Sequence, residues 1–321
     1  MSEREIVCAD LTRAIDDLRR DGFRLDLIYP ADDPHSAVLS KGADSVRLTN
    51  RPEATAPSDK LPPFAPEFVL PRAGVSPAEG RAGMLYRDLI PGRLGGRYIA
   101  SLISIPEGGP VADWVHFHRV AFQMIYVRRG WVRVVYEDQG EPFVMREGDL
   151  VLQPPTIRHR VLESSPGLEV IEIGAPAVHA TYADHEMELP NGLSAERTFD
   201  GQCFLRHIAA DTPWTAYCGG EAQETAMADA TRGLAQVRTL RGEVAIAPHD
   251  GELDLGFVLD GSAKLDFGDA FQLEAGDAFV IPPSRPWRIS EPSHGLKLLQ
   301  VRTARLPALL ISPADRLEPR S

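Results

Sequence analysis

Two short segments carry the residues best able to do chemistry. Trp114 to Gly130 reads W-V-H-F-H-R-V-A-F-Q-M-I-Y-V-R-R-G, and Gly148 to His159 reads G-D-L-V-L-Q-P-P-T-I-R-H. Side chains along a strand alternate faces, so His116 and His118 point the same way. A return strand of the same sheet can aim Gln123 and His159 into the same space. Three imidazoles and an amide oxygen inside a dry β-barrel make a site for one divalent metal. These donors suit Fe, Ni, Cu or Zn better than Mg or Ca, with Mn also open. All four are neutral, so a bound ion keeps nearly its full charge and acts as a strong Lewis acid toward a carbonyl or enolate. An anionic, chelating oxygen substrate would supply the missing charge. For Gln123 the competing role is a hydrogen bond to one of the histidines. Proton transfer needs a further group, and Tyr126, Gln153 and Arg133 lie on strands close enough in sequence to be candidates.

The elements around these segments are mostly strands. From about residue 69 to Arg305 the chain is a series of short β-type runs separated by Gly, Pro and Asp turns, with one helical turn expected near Glu221–Ala230. That pattern predicts a sandwich or barrel. Residues 1–50 differ. Leu11, Ile15, Leu18 and Phe23 keep a helical rhythm that stops near Gly22, and strands are expected at Arg24–Tyr29, Ser36–Ser40 and Ser45–Thr49. Residues 51–68 hold several prolines and read as a linker or a draped arm. The expected organisation is a small α/β unit (1–50), the linker (51–68), two β domains (69–190 and 191–308) and a tail (309–321).

The two β domains are copies of one another. His116–Val134 lies over Ala247–Leu265 without a gap, and Gly148–Val161 over Gly276–Ile289. A repeat of this size means duplicated domains, not a solenoid. In this register His116 faces Ala247, His118 faces His249, Gln123 faces Asp254 and His159 faces Trp287. One imidazole and one carboxylate do not hold a transition metal tightly, and Trp287 would fill the cavity. The second domain is expected to be structural or dimerising.

Composition narrows the partners. With 46 acidic against 34 basic residues the formal charge is −12, which repels nucleic acid and anionic membranes. Cys8, Cys203 and Cys218 have neither zinc-ligand spacing nor a disulfide framework, and no run of about 18 apolar residues occurs. A cytoplasmic protein acting on a small molecule is expected, with a homodimer as the default assembly. His179, His185, His207, His249, His294 and His35 are expected at the surface, Arg128–Arg129 in a solvated turn, and Trp131, Trp214 and Trp287 in a core or interface.

Taken together, the motifs resemble the cupin superfamily, and specifically a bicupin. A His-x-His pair, an acidic or amide residue and a glycine match His116, His118, Gln123 and Gly130. A Gly-Asp, a proline stretch and a His match Gly148, Asp149, Pro154 and His159. The resemblance spans about Gly74 to Arg305 and implies a mainly β fold of two tandem jelly-roll barrels, with metal near the axis of the first. It departs at Gln123, where most cupins have Glu. What it implies for function is a metal-dependent enzyme. Dioxygenation of a small oxygen-rich or hydroxyaromatic substrate with Fe(II) is preferred. A non-redox isomerase or cyclase using Zn or Ni, or a non-catalytic ligand-binding protein, are the alternatives. The run from Asp17 to Pro34 resembles half a module of the glyoxalase/vicinal-oxygen-chelate family, without a His or Glu to supply metal, which implies accessory packing or a dimer surface.

Overall fold

The computed structural model describes residues 3–51, 58–79, 84–308 and 310. The fold is mainly β, with two jelly-roll barrels preceded by a small α/β unit. In that unit a helix forms over Leu11–Arg20, where the Asp10 carboxylate caps the N-terminus by accepting from the Arg13 N–H at 2.9 Å. Strands follow at Arg24–Tyr29, Ser36–Lys41 and Asp44–Thr49. A further strand, Glu3–Val7, not anticipated from the sequence, runs parallel to Asp44–Thr49.

The α/β unit is more than accessory packing, because its sheet is continuous with that of the first barrel. The strand Thr181–Ala183 pairs on one side with Arg24–Tyr29 and on the other with His116–His118. The His-x-His strand is therefore held between Thr181–Ala183 and, at a single register position, His159 of the strand His159–Ser164.

The largest hydrophobic cluster lies between the barrels. Met124, Tyr126, Leu150, Ile171 and Ile173 of one back sheet meet Val237, Leu255, Phe257, Val280, Leu299 and Val301 of the other. Each barrel has its own inner core, where the opposite face of these strands, with Val127 and Val151 in the first barrel and Val258 in the second, packs on the facing sheet at Val134 and Leu265 respectively. Strands buried on both faces lose the strict polar–apolar alternation of a solvated sheet.

The barrels exchange edges. Leu205–His207, which the expected boundary at 190–191 assigns to the second domain, pairs with Leu150–Leu152 of the first. Val69, at the expected start of the first domain, bridges to Val280 of the second. Residues 52–57 of the expected linker lie outside the described residues. The stretch after them is draped over the protein, with Leu61 N–H bonded to the Ala308 carbonyl, Ala65 N–H to that of Leu94, and Phe68 packed on Phe267 and Phe271. The expected tail at 309–321 lies outside the described residues except for Leu310.

A buried ion pair joins the two halves. Arg97 Nε and Nη2 donate to both carboxylate oxygens of Glu252 at 2.8 and 2.9 Å, and Tyr98 Oη donates to Glu252 at 3.0 Å. No helix among the described residues is long and apolar enough to cross a membrane.

Candidate metal centre

Backbone geometry brings the three motif histidines together. His116 and His159 are register partners on adjacent antiparallel strands, and His118 follows two residues on, on the same face. The turn at Gly148, where φ is +88°, redirects the chain into Leu150–Leu152, and the Thr156 N–H then bonds to the His118 carbonyl at 2.9 Å. That bond fixes the approach of the Pro-Pro segment that delivers His159. The ligand-capable atoms of His116, His118 and His159 lie within 4.8 Å of one another, and the three residues are 3%, 8% and 5% exposed.

Each ring is oriented from behind. His116 Nδ1 meets the Trp114 carbonyl at 2.8 Å, His118 Nδ1 that of Ala180 at 3.2 Å, and His159 Nδ1 that of Ile157 at 3.1 Å. A carbonyl can only accept, so in each case Nδ1 carries the hydrogen and Nε2 of the neutral ring bears the lone pair. Backbone acceptors behind each imidazole are what a metal-binding histidine needs. The Asp113 carboxylate stands 3.5 Å from His116 Nδ1 and accepts from the Val161 N–H at 2.9 Å. The residues present therefore fit a divalent transition metal, and His116, His118 and His159 would hold it.

Gln123 is buried on Phe122–Arg129, on the barrel-interior side with Ile125 and Val127. Its Nε2 donates to Glu172 Oε1 at 2.6 Å. The amide is thus turned so that Oε1 is the only atom it could offer a cation. Sequence reasoning missed Glu172, which lies on the partner strand Leu168–Ala175, and also Tyr136, whose ring stacks on His159.

The three candidates for proton transfer are placed differently. Gln153 is buried, donates to Tyr136 Oη at 2.8 Å and reaches the cluster only through that tyrosine. Tyr126 is three residues from Gln123 and so faces the other way, into the inter-barrel core, where burial pushes its phenol up to about 12. Arg133 is exposed on the outside of the first barrel, 3.5 Å from Glu163. Neither Tyr126 nor Arg133 belongs to the site, because strand alternation turns both outward.

Other expectations need correction. His179 is buried, not at the surface. The pairing of Thr181–Ala183 with the His-x-His strand draws it in, and its ring meets that of His118 edge-on at 5.2 Å. His207 is buried beside Leu150, and His249 and His35 are half-buried, while His185 and His294 are exposed. Arg128 is no solvated turn residue. It pairs with Glu169 at 2.8 Å and lies over the Phe257 ring of the second barrel.

The second barrel keeps the scaffold of the site and replaces its donors. Ser284 N–H bonds to the His249 carbonyl as Thr156 N–H does to that of His118. Ile281 N–H bonds to Asp254 as Gln153 N–H does to Gln123, and Gly276 repeats the positive φ of Gly148. The register partner of Trp287 is Ile246, not Ala247. An ungapped alignment therefore slips by one residue here, and the counterpart of His116 is an isoleucine in the apolar core. Asp254 is fully buried and accepts from Trp287 Nε1, Gln300 Nε2 and Arg302 Nη2 at 2.8, 2.9 and 2.8 Å.

The comparisons with known proteins agree with this architecture. A cupin domain family model matches residues 101–173, the span that includes the His-x-His strand and His159. No curated protein sequence matches the chain. Among solved structures, protein Ylba from E. coli superposes with a TM-score of 0.53 at 11% identity, over 77% of this chain and 94% of that one. Salicylate 1,2-dioxygenase from Pseudaminobacter salicylatoxidans gives 0.52 at 15% identity, over 75% and 85%. Oxalate decarboxylase from Bacillus subtilis gives 0.50 at 14% identity, over 80% of each. At such identities the likeness is one of fold. Residues 101–173 thus carry a cupin domain, and the chain as a whole has the fold of two paired jelly-roll barrels with repeated turn geometry and a three-histidine cluster in the first.

Proposed function

We propose that His116, His118, Gln123 and His159 hold one divalent transition metal, Fe(II) by preference, and that the protein is a non-haem dioxygenase. The substrate is a small oxygen-rich or hydroxyaromatic molecule bound through two oxygens. The observation that carries this reading is the common anchoring of the three imidazoles. All three Nδ1 atoms are engaged by backbone carbonyls, so the Nε2 atoms carry the lone pairs, and the ligand-capable atoms of the three rings converge in one buried space. When bound, the ion would supply Lewis acidity toward a chelated oxygen pair and, if redox-active, electron exchange with O2. The chain's own residues orient and shield. The backbone acceptors fix the tautomers, Gln123 presents an uncharged oxygen, and burial of the cluster excludes bulk water. A donor set without charge favours a dianionic chelator such as a catecholate or enediolate. The likeness in fold to a salicylate 1,2-dioxygenase supports oxygenation as the class.

The same neutral donor set would serve a Zn- or Ni-dependent isomerase or cyclase, which needs no oxygen. Oxygen uptake by anaerobically iron-loaded protein, offered catechols and enediols, separates the two. Consumption above the metal-free control is expected. Uptake no higher than that control, with metal bound, would remove the dioxygenase reading.

A further inference from the structure

An amide–carboxylate pair on the central strands is written in opposite order in the two barrels. In the first, Gln123 stands on the central strand and donates to Glu172 on the neighbouring strand at 2.6 Å. In the second, Asp254 holds the position of Gln123, and Gln300, on the strand matching that of Glu172, donates to it at 2.9 Å. The backbone frame is common to both, since Gln153 and Ile281 N–H groups bond to Gln123 and Asp254 carbonyls respectively. One hydrogen bond is kept while the negative charge changes sides. In the second barrel the front carboxylate is matched by a cation, Arg302 Nη2 at 2.8 Å. The residue paired with Gln123 in the first barrel is Gly174, which carries no charge.

We propose that the Gln123–Glu172 pair determines substrate specificity by holding the negative charge one side chain behind the donor set. This rests on the metal-site reading above. Glu172 acts as a positioning residue. By accepting from Nε2 it leaves Oε1 as the amide's forward atom, and it keeps its own charge away from the oxygens of an anionic chelator. A carboxylate at position 123 would repel such a ligand and favour a neutral one. The pair thus selects dianionic bidentate oxygen ligands over neutral ones.

The test transposes the pair. The double variant Gln123→Glu/Glu172→Gln preserves the hydrogen bond and side-chain volume and moves only the charge. Cobalt(II) alone reports metal affinity by its visible absorption, and 4-nitrocatechol, added to cobalt-loaded protein, reports binding of a dianionic chelator. The expected result is cobalt affinity equal to or above that of the wild type, with 4-nitrocatechol affinity at least about tenfold lower. Unchanged 4-nitrocatechol affinity in the cobalt-loaded double variant overturns the proposal and leaves the metal site standing. A wild type that binds no cobalt overturns the metal reading and this proposal together. Should the double variant fail to fold, Glu172→Leu decides. It removes the acceptor and spares all three imidazoles, so cobalt affinity should fall about 10–100-fold. Undiminished affinity there overturns the positioning role.

Discussion

The ring of Tyr136 lies against the imidazole of His159, with centroids 5.5 Å apart and planes inclined by 23°. Its hydroxyl accepts from Gln153 Nε2 at 2.8 Å, and burial holds the phenol well above its ordinary value. Tyr136 therefore stays protonated at any working pH and serves as a wall for His159. Tyr136→Phe keeps the wall and strands the Gln153 amide, so it should cost about 1–3 kcal/mol of stability with metal affinity retained. Tyr136→Ala should cost about 3–5 kcal/mol and lower metal affinity as well, because His159 loses its support. Denaturant unfolding and metal titration of the two variants check this, and equal metal affinity in both would contradict the supporting role.

Arg97 and Glu252 form a bidentate pair between the barrels, and both are buried. Glu252 also receives Tyr98 Oη, while Arg97 Nη2 donates to the Leu306 carbonyl. Glu252→Ala leaves the guanidinium buried without its partner and should destabilise the protein by about 3–5 kcal/mol. Because the pair crosses the inter-barrel core, denaturant unfolding should show both barrels weakened. A loss under 1 kcal/mol would mean that the core carries the junction unaided.

Burial lowers the His207 imidazole below its ordinary value, with Asp149 opposing. The folded state therefore prefers neutral His207 more than the unfolded chain does. Its contribution is fully present above the unfolded value of about 6.5 and is lost as pH falls through that value toward the folded one. His207→Gln should show a smaller drop in Tm than the wild type between pH 7.5 and 5.5, measured without metal. Parallel curves would contradict the assignment. The difference between the two proteins isolates the contribution of His207 from everything they share.

Local pattern and tertiary geometry divide what could be read from the sequence. The helix at Leu11–Arg20 and the three strands after it follow from periodicity and turn residues, and all lie close to where the sequence puts them. His116 and His118 follow from alternation, and the paired Gly-Asp and Pro-Pro segments announce the repeated barrel. Glu172 and Tyr136 were hidden because their approach to the cluster depends on which strands become neighbours. The burial of His179 comes from a strand pairing beyond the barrel motifs, which its local sequence does not show. Tyr126 is a candidate by nearness in sequence alone, and its odd separation from Gln123 on the continuous strand Phe122–Arg129 turns it to the inter-barrel core. The extra residue near Ala247 is invisible to an ungapped alignment and appears only when Trp287 is seen opposite Ile246.

Elemental analysis of anaerobically purified protein, beside the His118→Ala variant, probes the three-imidazole centre without assuming a substrate. Close to one divalent transition metal per wild-type chain and a sharp loss in the variant are expected. At free metal about 1,000 times the dissociation constant, the wild type should gain about 4 kcal/mol of stability over its chelator-treated form. A variant that keeps the full wild-type stoichiometry, or a wild type that takes up no transition metal, would contradict the account.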